Sequence, residues 1–164
     1  LAVNDYIKQT IQKDIQKFIK LVLLMMAVFL FIVFRRISGV ILPVFIVFIS
    51  LLTTIGTMVI VQSPLTILTQ ILPSFLLAVG LGATVHLLSI FFKHYNRNGS
   101  KNDAIIYALG HSGLPIILTS LTTAAGLLSF STAEISPIAD LGIFGSLGVM
   151  IALINTIFLI ITIY

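Results

Sequence analysis

One of the long apolar stretches of this chain contains a histidine, in the segment 80–86 with the sequence GLGATVH. Lipid tails cannot hydrogen-bond to an imidazole, so a histidine and a run of small residues at membrane depth indicate close helix packing or a polar path. Histidine changes charge near neutral pH, which would suit a proton-linked role for His86. Bonded to a threonine hydroxyl or a backbone carbonyl, His86 would instead be purely structural. Both interpretations stay open.

Hydroxyl side chains are concentrated in a second apolar stretch, at 119–126 with the sequence TSLTTAAG. Each hydroxyl in a helix normally bonds back to a carbonyl one turn earlier. Thr119 shares a helix face with Thr122 or Thr123, however, so together these side chains can line a hydrogen-bonding track. The predicted substrate or ion path therefore combines the two segments: Ala83, Thr84, His86, Thr119, Thr122 and Thr123.

Glycines recur in the same two stretches and in the last one, where they stand three residues apart. Small residues let two helix backbones approach closely, which favours packing between membrane helices. For the small residues near His86, two interpretations stay open: helix packing alone, or helix packing next to a polar path. The predicted helix-packing residues are Gly80, Gly82, Gly126, Gly142, Gly145 and Gly148.

The catalytic patterns of intramembrane enzymes do not fit the chain. Aspartyl proteases of this kind use Gly-x-Gly-Asp, whereas residues 80–83 read Gly-Leu-Gly-Ala and lack the acid. Ser146 lacks the Gly-x-Ser-Gly setting of an intramembrane serine protease. His94 and His111 have no acidic residue beside them at a metal-ligand spacing. We therefore expect no enzymatic activity, no metal and no other cofactor.

The composition is that of a membrane protein. Hydrophobic residues make up 59% and charged residues 9% of the 164 residues, whereas soluble domains carry roughly 25% charged residues. The apolar residues form five stretches that can cross a bilayer. We predict an all-α, polytopic membrane helix bundle of about five transmembrane helices. The net charge of +4 comes from residues that flank the spans and can contact lipid headgroups, so it does not indicate binding to nucleic acid.

The predicted elements form a single transmembrane domain over 1–164, which we interpret as a fragment of a longer transporter because both ends look like cuts. An amphipathic lead-in helix is predicted at 1–20 and leads directly into a short first span. The polar segment 93–112 is predicted to form a cytoplasmic loop and a short interfacial helix at 104–109. The five predicted spans run over 21–34, 40–61, 65–92 with Pro73 inside it, 113–131 and 138–164.

Five spans would place the two chain ends on opposite faces of the membrane. Four basic residues then lie on one face and five on the other. If the first helix descends from a translocated domain, its four lysines count for less under the positive-inside rule. The predicted cytoplasmic segments are therefore 35–36 and 93–103, and the predicted external segments are 62–64 and 133–137.

Short motifs follow one another in a specific order along nearly the whole chain. They are FRR at 34–36, LP at 42–43, LT at 65–66, LP at 72–73, GLG at 80–82, HLL at 86–88, DAI at 103–105, LTSLTTAAG at 118–126, SPI at 136–138 and LG at 141–142. Together they resemble the membrane half-domain of the resistance–nodulation–division (RND) superfamily, which overlaps the sterol-sensing domain of Patched-like proteins. The most similar branch comprises prokaryotic predicted exporters of hydrophobic or amphiphilic compounds.

The resemblance implies that these spans are the second to sixth of a six-span bundle. A first span and a large extracytoplasmic domain would precede Leu1, and a second, similar half would follow Tyr164. In that family an acid beside the Gly-x-Gly motif commonly relays protons, and the matching position here is Ala83. Proton coupling would then use the other half or His86, or be absent.

The resemblance implies an RND-type exporter domain in the bacterial inner membrane. Its partners would be membrane lipids, a hydrophobic or amphiphilic small-molecule substrate and the second half of the same transporter, with a homo-oligomer as a further expectation. The alternative is a regulatory domain that senses or binds sterols or other lipids. An acid in the matching motif of the second half would favour transport, and its absence from both halves would favour sensing.

Overall fold

The computed structural model describes the backbone of residues 2–35, 38–64 and 66–163. Every regular element in these ranges is a helix, so the predicted all-α class is confirmed. Arg36 of the predicted basic turn and Leu65 at the predicted start of the third span lie outside the described residues, as do most side chains of the predicted amphipathic segment. Side chains are described for 14, 16–18, 20–22, 24–32, 34–35, 39–64, 66–97, 99–158 and 160–162.

Five long helices and two short 3-10 helices follow one another in the described part of the chain. The long helices are α1 (Ala2–Phe34), α2 (Ser38–Ile60), α3 (Leu72–Asn98), α4 (Lys101–Leu128) and α5 (Ser136–Ile163), and the 3-10 helices are Thr69–Ile71 and Ser129–Thr132.

Four of the described helical segments are long and apolar enough to cross a membrane: Gly39–Ile60, Thr69–Arg97, Lys101–Thr132 and Ser136–Thr162. They correspond to the predicted second to fifth spans, and the chain is a membrane protein. The predicted first span is the second half of α1, which continues without a break from the predicted lead-in helix. Its 33 residues extend over roughly 50 Å, which is long enough to cross a bilayer. That α1 also crosses the membrane, which would bring the number of spans to five, stays a prediction.

Both ends of α3 differ from the prediction. The α-helix begins only at Leu72, so Pro73 lies in its first turn, where the N–H that proline lacks is not needed. Pro73 is still inside the apolar segment Thr69–Arg97, as predicted. At the other end α3 continues through Asn98 and is closed by Gly99, whose φ is +70° and whose N–H donates to the Tyr95 carbonyl. The polar loop predicted after residue 92 is therefore mostly helix, since polar side chains on a helix can project beyond the bilayer into water.

The segment predicted as a separate interfacial helix forms the first turns of α4 instead. Ser100 caps this helix, because its hydroxyl oxygen accepts a hydrogen bond from the Asp103 N–H at 3.4 Å. Packing against α3 and α5 along one continuous buried stripe keeps the helix unbroken across Gly110, Gly113 and Pro115. The buried residues recur every four positions: Ala104, Ala108, Ser112, Ile116, Ser120 and Ala124.

Helices α3 and α5 form the centre of the bundle. Within the apolar stretches that define the spans, 50% is buried in α3 and 53% in α5, compared with 17% in α4. α3 contacts α2, α4 and α5, whereas α1 packs at the edge against α2 and α3. The largest buried cluster joins α3, α4 and α5 through Leu88, Phe91, Ala104, Ala108 and Leu153. Most of the surface of α4 therefore faces outward from this bundle.

Two contacts show which connections share an end of the bundle. The rings of Phe34 and Phe92 meet edge to face with centroids 5.7 Å apart, so the end of α1 lies beside the last turns of α3. At the opposite end, the Ser63 hydroxyl after α2 donates to Asp140 Oδ2 in the first turns of α5 at 3.0 Å. The end of α2 therefore lies beside the start of α5. Arg35 and Lys93, which follow the two phenylalanine rings in the chain, therefore share one end. That this end faces the cytoplasm stays a prediction.

Candidate functional site between α3 and α4

An open groove of about 420 Å³ lies between the middle parts of α3 and α4. Its α3 wall is formed by residues at i, i+3, i+4 and i+7, which share one helix face. The lining residues are Val79, Gly82, Ala83 and His86 of α3, with Pro115, Ile116, Thr119, Ser120 and Thr123 of α4.

The groove brings together four of the six residues predicted for the substrate or ion path. His86 and Thr119 are exposed in it, while Ala83 and Thr123 are half-buried in its walls. The two segments that were combined on the basis of sequence are therefore adjacent in space. Among the nine lining residues only His86 has an ionisable side chain, and Ala83 stands where the family resemblance implies an acid.

The other two predicted path residues do not line the groove. Thr84 is fully buried and faces α5, where its Oγ1 lies 2.9 Å from Oγ1 of Thr156. Successive helix residues are rotated by about 100°, so Thr84 is turned away from the face that carries Ala83. Thr122 is exposed outside the groove, and its hydroxyl donates to the carbonyls of Leu118 and Thr119, both at 3.0 Å.

The hydroxyl groups of the threonines in the groove donate hydrogen bonds to carbonyls of their own helix, α4. Thr119 donates to the carbonyl of Pro115 at 2.9 Å, and Thr123 donates to the carbonyl of Thr119 at 2.7 Å. This is the back-bonding expected of hydroxyls in membrane helices. Each oxygen keeps lone pairs that can accept from a group in the groove. The wall is therefore an acceptor surface opposite the imidazole of His86.

The predicted packing glycines divide into two groups. A Cβ added at Gly80 would lie 2.9 Å from Val47 Cγ2, and one at Gly142 would lie 2.6 Å from the Leu127 carbonyl oxygen. Such distances are too short for a side chain, so close helix approach requires glycine at these positions. The last helix has two further close contacts, at Gly145 and at Gly148.

Gly82 and Gly126 do not make the close contacts predicted for them within the described chain. A Cβ added at either position would meet no heavy atom within 4 Å. Gly82 lies on the groove face of α3, and Gly126 is exposed on α4. The spacing of glycines shows that they share a helix, but it does not show which of its faces is covered.

Comparison with known proteins identifies the family. The family model described as MMPL family matches residues 1–162. The chain belongs to the MMPL family. This family is part of the RND superfamily, so the resemblance inferred from the ordered motifs is confirmed.

One relative of this MMPL-family domain is a protein of Methanocaldococcus jannaschii whose name describes it as a membrane protein. The two are 27% identical over 145 residues, which cover 88% of this chain and 37% of the relative. The chain thus spans a little over a third of that relative's length. No solved structure gives a significant match.

A second set of polar contacts lies inside the bundle of the MMPL-family domain. The interhelical role of Asn155 is predicted from the sequence, whereas its partners on α2 are not. Asn155 of α5 donates from Nδ2 to the Ser50 hydroxyl oxygen of α2 at 2.9 Å, which is the interhelical bond expected of a lone asparagine in an apolar helix. Ser50 and Thr54 are both fully buried. Their spacing of four residues in a mostly apolar helix was the available signal, since it places both on one face.

The remaining histidines of the MMPL-family domain lie at the basic end of α3 and α4. His94 stacks on Tyr107 with ring centroids 4.2 Å apart, and Tyr107 stacks on His111 at 5.7 Å. No group of three or more potential metal-ligating side chains occurs among the described residues. The arrangement is an aromatic stack across two helices.

Proposed function

We propose that this MMPL-family domain is one half of a membrane exporter of hydrophobic or amphiphilic compounds, and that its α3–α4 groove faces the second half. The single observation that carries the proposal is the groove itself. It exposes an imidazole, threonine hydroxyls and a bare glycine backbone on the outer surface of a membrane helix bundle.

Lipid would be a poor covering for this surface. A histidine in contact with hydrocarbon has no hydrogen-bonding partner, and such residues normally face a bundle interior or a water-filled cavity. Gly82 leaves room for a closely approaching backbone or for a ligand. A second helix bundle over α3 and α4 would enclose His86 and create a polar path between the two halves.

The outward position of α4 supports the same arrangement. Only 17% of its apolar stretch is buried within the chain, although α4 carries all the hydroxyl side chains that line the groove. The Methanocaldococcus jannaschii relative is more than twice as long as the matched region, which leaves room in such a protein for a second bundle. The partners under this proposal are the second half, membrane lipids and an apolar or amphiphilic substrate in the plasma membrane.

Energy coupling through this half would depend on His86. Ala83 is half-buried in the wall of the groove, and its side chain cannot carry a proton. A proton that crosses 100 mV of membrane potential releases about 2.3 kcal/mol, and a relay needs a titrating side chain at the site of transfer. Proton-linked transport would therefore pass through His86 or through the second half.

A lipid-sensing regulatory domain is the second candidate, because another groove favours it. Between α1 and α2 a cavity of about 460 Å³ is lined entirely by apolar side chains. An acyl chain or a sterol would fit such a surface without any polar partner. The lining residues are Ala27, Val40, Ile41, Val44, Phe45 and Phe48.

Photocrosslinking in the full-length protein tests what covers the α3–α4 groove. A benzophenone amino acid at Thr119 should crosslink to protein segments outside residues 1–164, as identified by mass spectrometry. The matched control is Phe158 of α5, which is 68% exposed and lies outside the groove. We expect this position to crosslink mainly to lipid. Crosslinks from Thr119 to lipid alone would contradict the proposal.

A further inference from the structure

A second pocket, of about 200 Å³, lies between the last turns of α3 and the first turns of α4. Its α3 residues again share one face, because they stand at i, i+3, i+4 and i+7. The pocket is lined by Ile90, Lys93, His94 and Arg97 of α3, and by Tyr107 and His111 of α4.

The pocket has a strongly cationic lining. Lys93 and Arg97 bring two full positive charges to one face of α3, and two imidazoles and a phenol line the same pocket. No carboxylate is among these residues. The nearest acid along α4 is Asp103, one turn before Tyr107, and no ion pair within the described chain joins it to Lys93 or Arg97. Like charges gathered around a cavity repel one another, and an anion between them would relieve this repulsion.

The aromatic stack fixes the shape of the pocket. Tyr107 lies nearly parallel to His94, at 12°, and to His111, at 7°. The three rings therefore lie nearly parallel across the α3–α4 interface and line the cavity together. A site that is held in place in this way loses little side-chain freedom on binding.

The level of the pocket in the membrane indicates the source of the anion. The apolar span of α3 ends at Arg97, so the pocket lies where hydrocarbon gives way to headgroups. Ile106 and Leu114 of α4 are 70% and 68% exposed and would offer an apolar surface to acyl chains. Basic pockets between membrane helices at this level suit phosphate-containing headgroups.

We propose that this pocket binds the phosphate of an anionic phospholipid headgroup. Arg97 and Lys93 would contact the phosphate oxygens, Arg97 through paired N–H donors. Tyr107 and the two imidazoles would supply further hydrogen bonds. The inference is independent of transport, since a lipid at this site would fasten the ends of α3 and α4 to the membrane surface whatever occupies the groove.

The test uses the full-length protein in nanodiscs and follows binding of phosphatidylglycerol by native mass spectrometry. We expect the double variant Lys93→Gln/Arg97→Gln to bind phosphatidylglycerol at least tenfold more weakly than wild type. The matched control is Arg35→Gln/Lys101→Gln, which removes the same charge from exposed residues at the same end of the bundle. Equal weakening in both double variants would overturn the site.

Two additions keep the test decisive. His111→Phe preserves the aromatic stack and removes the nitrogens, so it should weaken phosphatidylglycerol binding several-fold even if the double variant does not fold. Unchanged binding by this variant would overturn the assignment. Zwitterionic phosphatidylcholine and inorganic phosphate are the competing ligands, and we expect neither to displace phosphatidylglycerol at equal concentration. Displacement by inorganic phosphate would show a free-phosphate site and contradict the lipid proposal.

Discussion

The hydroxyl oxygens of Thr84 in α3 and Thr156 in α5 lie 2.9 Å apart in the fully buried centre of the bundle. Both hydroxyls are also within hydrogen-bond distance of carbonyls in their own helices, at Gly80 and Ala152. One of the two must donate to the other for the contact to be a hydrogen bond, because each carries a single proton. Helix α3 therefore carries polar groups on two faces, one bonded to α5 and one open to the groove.

The buried contact between Thr84 and Thr156 should contribute to the stability of the fold and not to transport. We expect Thr84→Val to lower the free energy of unfolding by about 0.5–1.5 kcal/mol. A double-mutant cycle with Thr156→Val should give a coupling of about 0.6 kcal/mol, the usual size for hydrogen bonds between membrane helices. Unfolding in mixed micelles measures both. Loss of transport by Thr84→Val at unchanged stability would return this residue to the path.

The same substitution at two glycines should have different effects on thermal stability. At Gly142 an added Cβ would lie 2.6 Å from a backbone oxygen, so Gly142→Ala should cost about 1–3 kcal/mol by overpacking. At Gly82 the space is open, and alanine gains up to about 1 kcal/mol in helix propensity. Thermal melting in detergent should therefore show a lower Tm for Gly142→Ala and an equal or higher Tm for Gly82→Ala. A lower Tm for both would contradict the placement of Gly82 on an open face.

This contrast shows what the sequence could predict. Long apolar runs identify spans 2 to 5, since a bilayer requires continuous apolar helices. The same uniform hydrophobicity hides which face of each helix is covered, because no polar side marks the outside. The sequence therefore did not show that Thr84 faces α5 or that Gly82 has no close neighbour within the described chain. His86, Thr119 and Thr123 do line one groove, because two polar segments at the same depth had few partners other than each other. Their role in a path stays a prediction.

Helix ends were harder to predict than spans. Beyond the apolar region, polar side chains are compatible with either a loop or a helix that projects into water. The connection after α3 was predicted to be long, yet Gly99 and Ser100 alone separate the two helices. Gly99, in its left-handed conformation, ends α3, and the Ser100 cap begins α4.

The orientation of the bundle can be tested with single cysteines. If the basic end faces the cytoplasm, Ser136→Cys should react with a membrane-impermeant maleimide in intact cells. Asn102→Cys should react only after permeabilisation, since it lies at the opposite end of the bundle. Both positions are exposed, so access by the reagent within the protein is not limiting. The reverse labelling pattern would overturn the orientation.

His86 should matter for transport and not for folding. We expect His86→Ala to reduce efflux by the full-length protein about tenfold or more, because it removes the ionisable group of the groove. His86→Gln keeps a hydrogen-bonding side chain and cannot titrate, so it separates a proton-transfer role from a polar contact. The assay is efflux from proteoliposomes with and without an imposed pH gradient. Undiminished gradient-driven efflux by His86→Ala would place coupling in the second half.

The most direct test of an export path along the groove is to fill the groove and measure transport. Gly82→Leu projects a side chain into it, while Gly56→Leu makes the same change on α2 at another position with no heavy atom within 4 Å. We predict that proteoliposomes containing the full-length Gly82→Leu protein lose at least nine-tenths of the efflux of a fluorescent amphiphile, and that Gly56→Leu retains wild-type efflux. Equal efflux from wild type and both variants would contradict a path through the α3–α4 groove.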